Sequence, residues 1–123
     1  MRENRIQSEI REQVSARCPG IVFRLNSGRA YGGDRVIDTP EYGRVLLNPR
    51  PVALCPPGTS DLVYFGPGAQ TVFLEVKNEK GRAREAQERF LALMNKYGFD
   101  AALVRSPEEA VALINGGTHE QQG

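Results

Sequence analysis

Apolar residues at Ile6, Ile10 and Val14 recur every fourth position in an otherwise charged opening, which predicts an amphipathic helix over residues 3–17 that stops before Pro19-Gly20. Residues 21–26 (IVFRLN) predict a strand. The stretch 27–60 is rich in Gly and Pro, with short β-like pieces around Arg35–Ile37 and Arg44–Leu47. Two stronger runs follow, DLVYF (61–65) and TVFLEVK (71–77), separated by GPGAQ, a turn of the kind that closes a hairpin. Both runs are apolar on both faces, so they are expected to be central strands covered on two sides. Residues 84–97 predict a helix ended by Gly98, residues 100–105 a strand, and residues 107–115 a helix opening at Pro107 and closing at Gly116-Gly117. The order α-β-β-β-α-β-α implies an α/β fold, a central mixed β-sheet flanked by helices. A single domain is expected over residues 1–117, followed by a flexible C-terminal tail, 118–123.

Composition narrows the chemistry mainly by exclusion. With 123 residues, 40% of them apolar, the chain has the makings of one core that folds without disulfide or structural metal. Cys18 and Cys55 are far apart in sequence and form no CxxC pair, so they are expected to be buried or incidental thiols rather than ligands. The charged opening lacks the apolar run of a signal peptide, and no segment is long and apolar enough to span a membrane; the expected location is the cytoplasm of a bacterial or phage-infected cell. Net charge is only +1, so attraction to nucleic acid must come from local clusters of Arg and Lys. The sole histidine, His119, sits in the polar tail. Chemistry that needs a histidine base, nucleophile or ligand is therefore not expected.

The hairpin carries a constellation that remains compatible with these limits. A turn centred on Gly68 sets Asp61 opposite Glu75, with Cβ atoms roughly 4.5–5.5 Å apart. Lys77, two residues on, points to the same face. Opposed carboxylates repel, and a half-covered strand accommodates them only if a cation or the lysine neutralises the charge. A solvated Asp–Lys–Glu cluster would be the bland outcome. Alternatively, Asp61, Glu75 and the carbonyl of Val76 offer a hard divalent cation an all-oxygen partial shell, with room for water and phosphate. Lys77 would then orient the attacking water, help remove its proton, or offset charge building on the phosphate. Glu9 lies at the edge of the helix stripe, at about 100° per residue, and is expected at the core boundary near such a site. Gln87 lies on the apolar face of its helix, where an inward amide needs hydrogen-bond partners. The loop Lys80-Gly81-Arg82-Ala83-Arg84, together with Arg24 and Asn26, offers contacts to a phosphate backbone.

Read in order, Glu9, the segment Phe23–Gly28, Gly58-Thr59-Ser60-Asp61-Leu62, Phe73-Leu74-Glu75-Val76-Lys77, Gly81-Arg82, and Gln87 with Phe90 resemble the VRR-NUC branch of the PD-(D/E)XK nucleases, in its short stand-alone phage and bacterial form. The resemblance implies a restriction-endonuclease-like core with Asp61 and Glu75 as metal ligands, Lys77 as catalytic lysine, Glu9 as a further metal-side acid and Gln87 as supporting amide. It also implies Mg²⁺ or Mn²⁺ as cofactor, cleavage of Holliday junctions or other branched DNA, and a homodimer. Ser60 stands where the superfamily's name has proline, a change of backbone preference rather than of chemistry. A non-cleaving, nuclease-derived module that holds branched DNA is the alternative. A small interaction protein with a merely structural charge cluster is a third reading.

Overall fold

A computed structural model describes residues 1–116; the tail expected to be flexible, with His119, lies outside the described residues. The elements run α1 (Glu3–Arg17), β1 (Ile21–Arg24), β2 (Arg29–Gly32), β3 (Arg35–Thr39), β4 (Gly43–Leu47), β5 (Arg50–Ala53), β6 (Leu62–Gly66), β7 (Gln70–Val76), α2 (Glu85–Lys96), β8 (Asp100–Val104) and α3 (Pro107–Asn115). Without β2–β5 this is the order anticipated from the sequence, and each anticipated element is present within a residue or two of its expected ends.

Strands β1, β6, β7 and β8 form one mixed sheet in that spatial order, antiparallel except for the parallel β7–β8 pair. A parallel neighbour requires a crossover, and α2 supplies it. The two runs expected to be central, β6 and β7, occupy the two inner positions of the sheet. Alternation along β7 assigns the faces. Val72, Leu74 and Val76 are buried in one cluster with Ile6, Ile10 and Val14 of α1 and Ala110, Val111 and Ile114 of α3. Phe73 points the other way, where its ring meets Phe90 and Phe99 edge-on at 5.4 and 5.8 Å. Glu75 and Lys77 have the parity of Phe73 and so leave on the α2 side. Among the described residues, no helix is long and apolar enough to cross a membrane. Cys18 is buried and Cys55 half-buried, and both are free thiols.

The stretch between β1 and β6 is more ordered than its sequence suggests. The β-like pieces at Arg35–Ile37 and Arg44–Leu47 do pair, as β3 and β4. Strands β2 and β5, which pair with each other, were not anticipated. They show no alternation of buried and exposed positions, β5 contains Pro51, and their partners are far apart in sequence, so no local signal marks them. The β3–β4 register, continued through Asp34–Asn48 and Gly33–Pro49, runs into the β2–β5 register without offset. The four strands are therefore one long hairpin, interrupted where Pro49 has no N–H to donate and Asn48 adopts a left-handed φ of 50°.

Candidate active site

The β6–β7 register pairs Leu62 with Leu74, so one further step sets Asp61 beside Glu75, as the turn at Gly68 predicted. Asp61 caps the end of the pairing: its Oδ2 accepts the backbone N–H of Val76 at 2.8 Å. The backbone carbonyl of Asp61 accepts from Leu25, extending the β1–β6 ladder past the last strand residue. Asp61, Glu75 and Lys77 line one cavity of about 360 Å³ together with Arg84 and Gln87.

Glu75 is the centre of this arrangement. It is only 1% exposed, and its Oε2 receives both the Lys77 ammonium at 3.3 Å and the Gln87 amide at 3.0 Å. Its Oε1 is buried, and no hydrogen-bond donor among the described residues reaches it. Burial, and then the charge of the nearby Asp61 carboxyl, push the Glu75 carboxyl up to about 7, against the opposing pull of Lys77. An unsatisfied oxygen on a buried acid, facing a second acid, is an unfavourable arrangement for a structural core and a suitable one for a cation. Among the described residues no group of three or more His, Cys, Asp or Glu is placed to hold a metal. The carboxylates of Glu3, Asp61 and Glu75 line the cavity, and hard oxygen donors of that kind suit a magnesium-type ion that keeps water and takes phosphate oxygens as further ligands.

Local sequence explains how α2 reaches the cavity. Gln87 lies in the first turn of α2, and its Oε1 accepts the N–H of Arg84 at 2.8 Å. That bond both caps the helix and turns the amide so that its NH₂ faces Glu75. Gly58 lets the helix approach: its φ is +94°, and a Cβ there would stand 2.8 Å from the Ala86 carbonyl oxygen. Beside a separate depression, the Arg105 guanidinium donates to the carbonyls of Asn78 and Gly81, at 2.5 and 2.7 Å, and shapes the start of the basic loop. Sequence reasoning did not single out Arg105.

The structure does not bring every expected residue to the cavity. Glu9 is paired with Arg5 at 3.3 Å and lines two other depressions, near α3. Glu3, which the sequence analysis did not single out, stands where Glu9 was expected: it lines the cavity, and its Oε2 lies 2.9 Å from where a Cβ on Gly81 would stand. The helical projection contained the signal. At about 100° per residue Glu3 falls within the Ile6–Ile10–Val14 stripe, whereas Glu9 falls about 60° beyond Ile6, farther from the stripe than the edge position expected for it. Of the proposed phosphate contacts, Arg84 lines the cavity, while Arg24, Asn26, Lys80 and Arg82 are exposed and not part of its lining. Asn26 uses its carbonyl to accept the N–H of Cys55, a structural role. Ser27 and Gly28 do reach the cavity wall.

The family model described as VRR-NUC domain matches residues 45–108, just over half of the chain and the whole of the Asp61–Gln87 constellation. The chain belongs to the VRR-NUC family. A VRR-NUC domain is of the nuclease type and binds DNA, so the cavity belongs to a domain of that kind. The fold agrees. A solved structure named VRR_NUC domain superposes with a TM-score of 0.57 at 21% identity, covering 92% of this chain and 94% of that one. Among curated proteins nothing matches the chain.

Proposed function

We propose that this VRR-NUC domain is a divalent-metal-dependent endonuclease that hydrolyses phosphodiester bonds in branched DNA, acting as a homodimer in the cytoplasm of a bacterial or phage-infected cell. The observation that carries the reading is the buried, donorless Oε1 of Glu75 beside Asp61, in a cavity that also holds Lys77.

Asp61, Glu75 and the Val76 carbonyl would hold Mg²⁺ or Mn²⁺, with Glu3 as the further acid in place of Glu9. The ion supplies Lewis acidity toward the phosphate and lowers the pKa of water. The rest of the mechanism belongs to the chain. Lys77, held at 3.3 Å from Glu75, is an ammonium with donors to spare. It orients the attacking water and offsets negative charge as the phosphorus becomes pentacoordinate. Gln87 fixes the Glu75 carboxylate so that Oε2 stays with Lys77 and Gln87 while Oε1 remains free. Arg84 presents a positive charge at the rim, where the flanking phosphates would run.

Dimerisation is supported by an open apolar patch on the α2 side of the sheet. Ile21 is 63% exposed there, and the rings of Phe23 and Phe65 pack against each other at 5.7 Å while both remain partly exposed. A second copy on that patch would set two cavities around a two-fold axis, as cleavage of two strands at a junction requires.

The test is cleavage of labelled four-way junction, flap, single-stranded and duplex DNA with Mg²⁺ or Mn²⁺, comparing wild type with Lys77→Ala and Glu75→Ala. Cutting by wild type that both substitutions abolish, with folding retained, is the expected result. No cutting of any substrate, with DNA still bound, would overturn the enzyme reading in favour of a binding module.

A further inference from the structure

The hairpin formed by β2–β5 pairs only within itself, and nearly all of its strand residues are exposed or half-exposed. A two-stranded ribbon standing alone in water is marginally stable, so a partner surface is expected to support it. Its charges are unevenly committed. Arg44 is tied to Asp38 at 3.2 Å, and Arg50 to Asp34 at 3.1 Å, with Asn48 as a second donor to Asp34. Arg29 and Arg35 are exposed and have no ion pair among the described residues. Arg29 shares a face of β2 with Tyr31, which is 67% exposed, and their cross-strand partners Ala53 and Pro51 are too short to shield them.

The position of this arm gives those charges a direction. Arg29 follows immediately on Gly28, which with Ser27 lines the cavity. The arm is anchored there by a ladder of backbone bonds, Gly28 N–H to the Cys55 carbonyl and Leu54 N–H to the Gly28 carbonyl. A polymer that lies in the cavity and leaves it past Ser27 and Gly28 meets the base of the arm.

We propose that the arm is a clamp for duplex DNA flanking the cavity, with Arg29 and Arg35 on the phosphate backbone and Tyr31 packed against the sugars between them. The proposal rests on the nuclease-type reading only in taking nucleic acid as the occupant of the cavity. Unpaired guanidinium groups next to an exposed aromatic ring match a polyanion with apolar sugar edges. A second copy of the chain fits this face less well. A two-fold contact centred on this face would set its two unpaired arginines against those of the second copy, like charge against like.

The experiment measures binding of a fluorescent duplex of about 30 base pairs by anisotropy across a salt series, in EDTA so that nothing is cut. Wild type is compared with the double variant Arg29→Ala/Arg35→Ala and with Arg44→Ala, thermal melts checking that all are folded. Loss of two phosphate contacts lowers the log–log salt slope by about two and weakens binding roughly tenfold or more near physiological salt. Arg44→Ala keeps the wild-type slope, because its guanidinium is already committed to Asp38. A double variant with wild-type affinity and slope overturns the proposal. So does a double variant that changes only its oligomeric state by light scattering, which would make a second copy the occupant. An Arg44→Ala slope as low as the double variant's also overturns it, since charge alone and not this face would then be responsible. Arm-dependent binding by a protein that cuts no DNA with either metal would leave the clamp standing and remove the endonuclease reading.

Discussion

Replacing Glu75 with Gln is expected to stabilise the metal-free protein while disabling it. In the fold the Glu75 carboxyl titrates near 7 rather than 4.5, because it is buried and faces Asp61. Ionising it inside the fold is thus less favourable than in the unfolded chain by about 3 kcal/mol. That figure already includes the help it receives from Lys77. Below pH 4.5 the group is protonated in both states and exacts nothing. As pH rises from there to 7 the unfolded chain gains from ionisation and the folded one does not, so stability falls across this window and stays lower above it. Gln never ionises, and its side-chain oxygen can still accept from Gln87. The stability difference between Glu75→Gln and wild type should therefore grow from near zero at acid pH to about 3 kcal/mol above neutrality. Urea unfolding in EDTA across this pH range measures it, and added Mn²⁺ should close the gap by stabilising wild type alone. A difference that does not change with pH, or a variant less stable than wild type at pH 8, would refute the account of Glu75 as a strained acid awaiting a cation.

The remaining expectations concern the surroundings of that acid. Glu3→Gln should reduce cleavage by roughly tenfold or more, as loss of a carboxylate near the reacting charge would, whereas Glu9→Gln should leave it near the wild-type rate; a reversed pair in a cleavage assay would return the role to Glu9. Mn²⁺ affinity measured by calorimetry should rise as pH increases toward 7 and level off above it, with proton release on binding below that point, because the protonated Glu75 carboxyl cannot serve as a ligand. A pH-independent affinity would remove Glu75 from the ligand set. Gly58→Ala should destabilise the fold by about 1–3 kcal/mol, since it places a side chain at a left-handed φ against the Ala86 carbonyl. It should also lower cleavage by moving Gln87 away from Glu75, and a stable, fully active variant would show that the close approach of α2 is dispensable.

The part of the protein most legible in the sequence was the part built from local periodicity. The stripe Ile6–Ile10–Val14, the doubly apolar runs around Tyr64 and Leu74, the helix stop at Gly98 and the helix start at Pro107 each reflect a constraint that acts within a few residues. The site's centre was legible for the same reason. A tight turn at Gly68 sets the register, and the register alone brings Asp61 to Glu75 and puts Lys77 on their face. Gln87 was recognisable because an amide on an apolar helix face has to be satisfied, and it is satisfied by Glu75.

What the sequence by itself determined, then, was the order of elements, the burial of each face and the chemical identity of the acid-acid-lysine group. The tertiary structure decided which groups outside the hairpin reach that site, since this depends on how α1 and α2 are placed against the sheet end. Glu3 enters and Glu9 does not because the first turn of α1, rather than its middle, passes the cavity. Arg105 shapes the basic loop from the bend after β8, more than twenty residues away. The arm is the clearest case of this kind. Its inner ladder joins Arg29–Gly32 to Arg50–Ala53 through a backbone register that side-chain alternation does not record, so only the folded chain reveals that the Gly- and Pro-rich stretch is a single hairpin leaving the rim of the cavity.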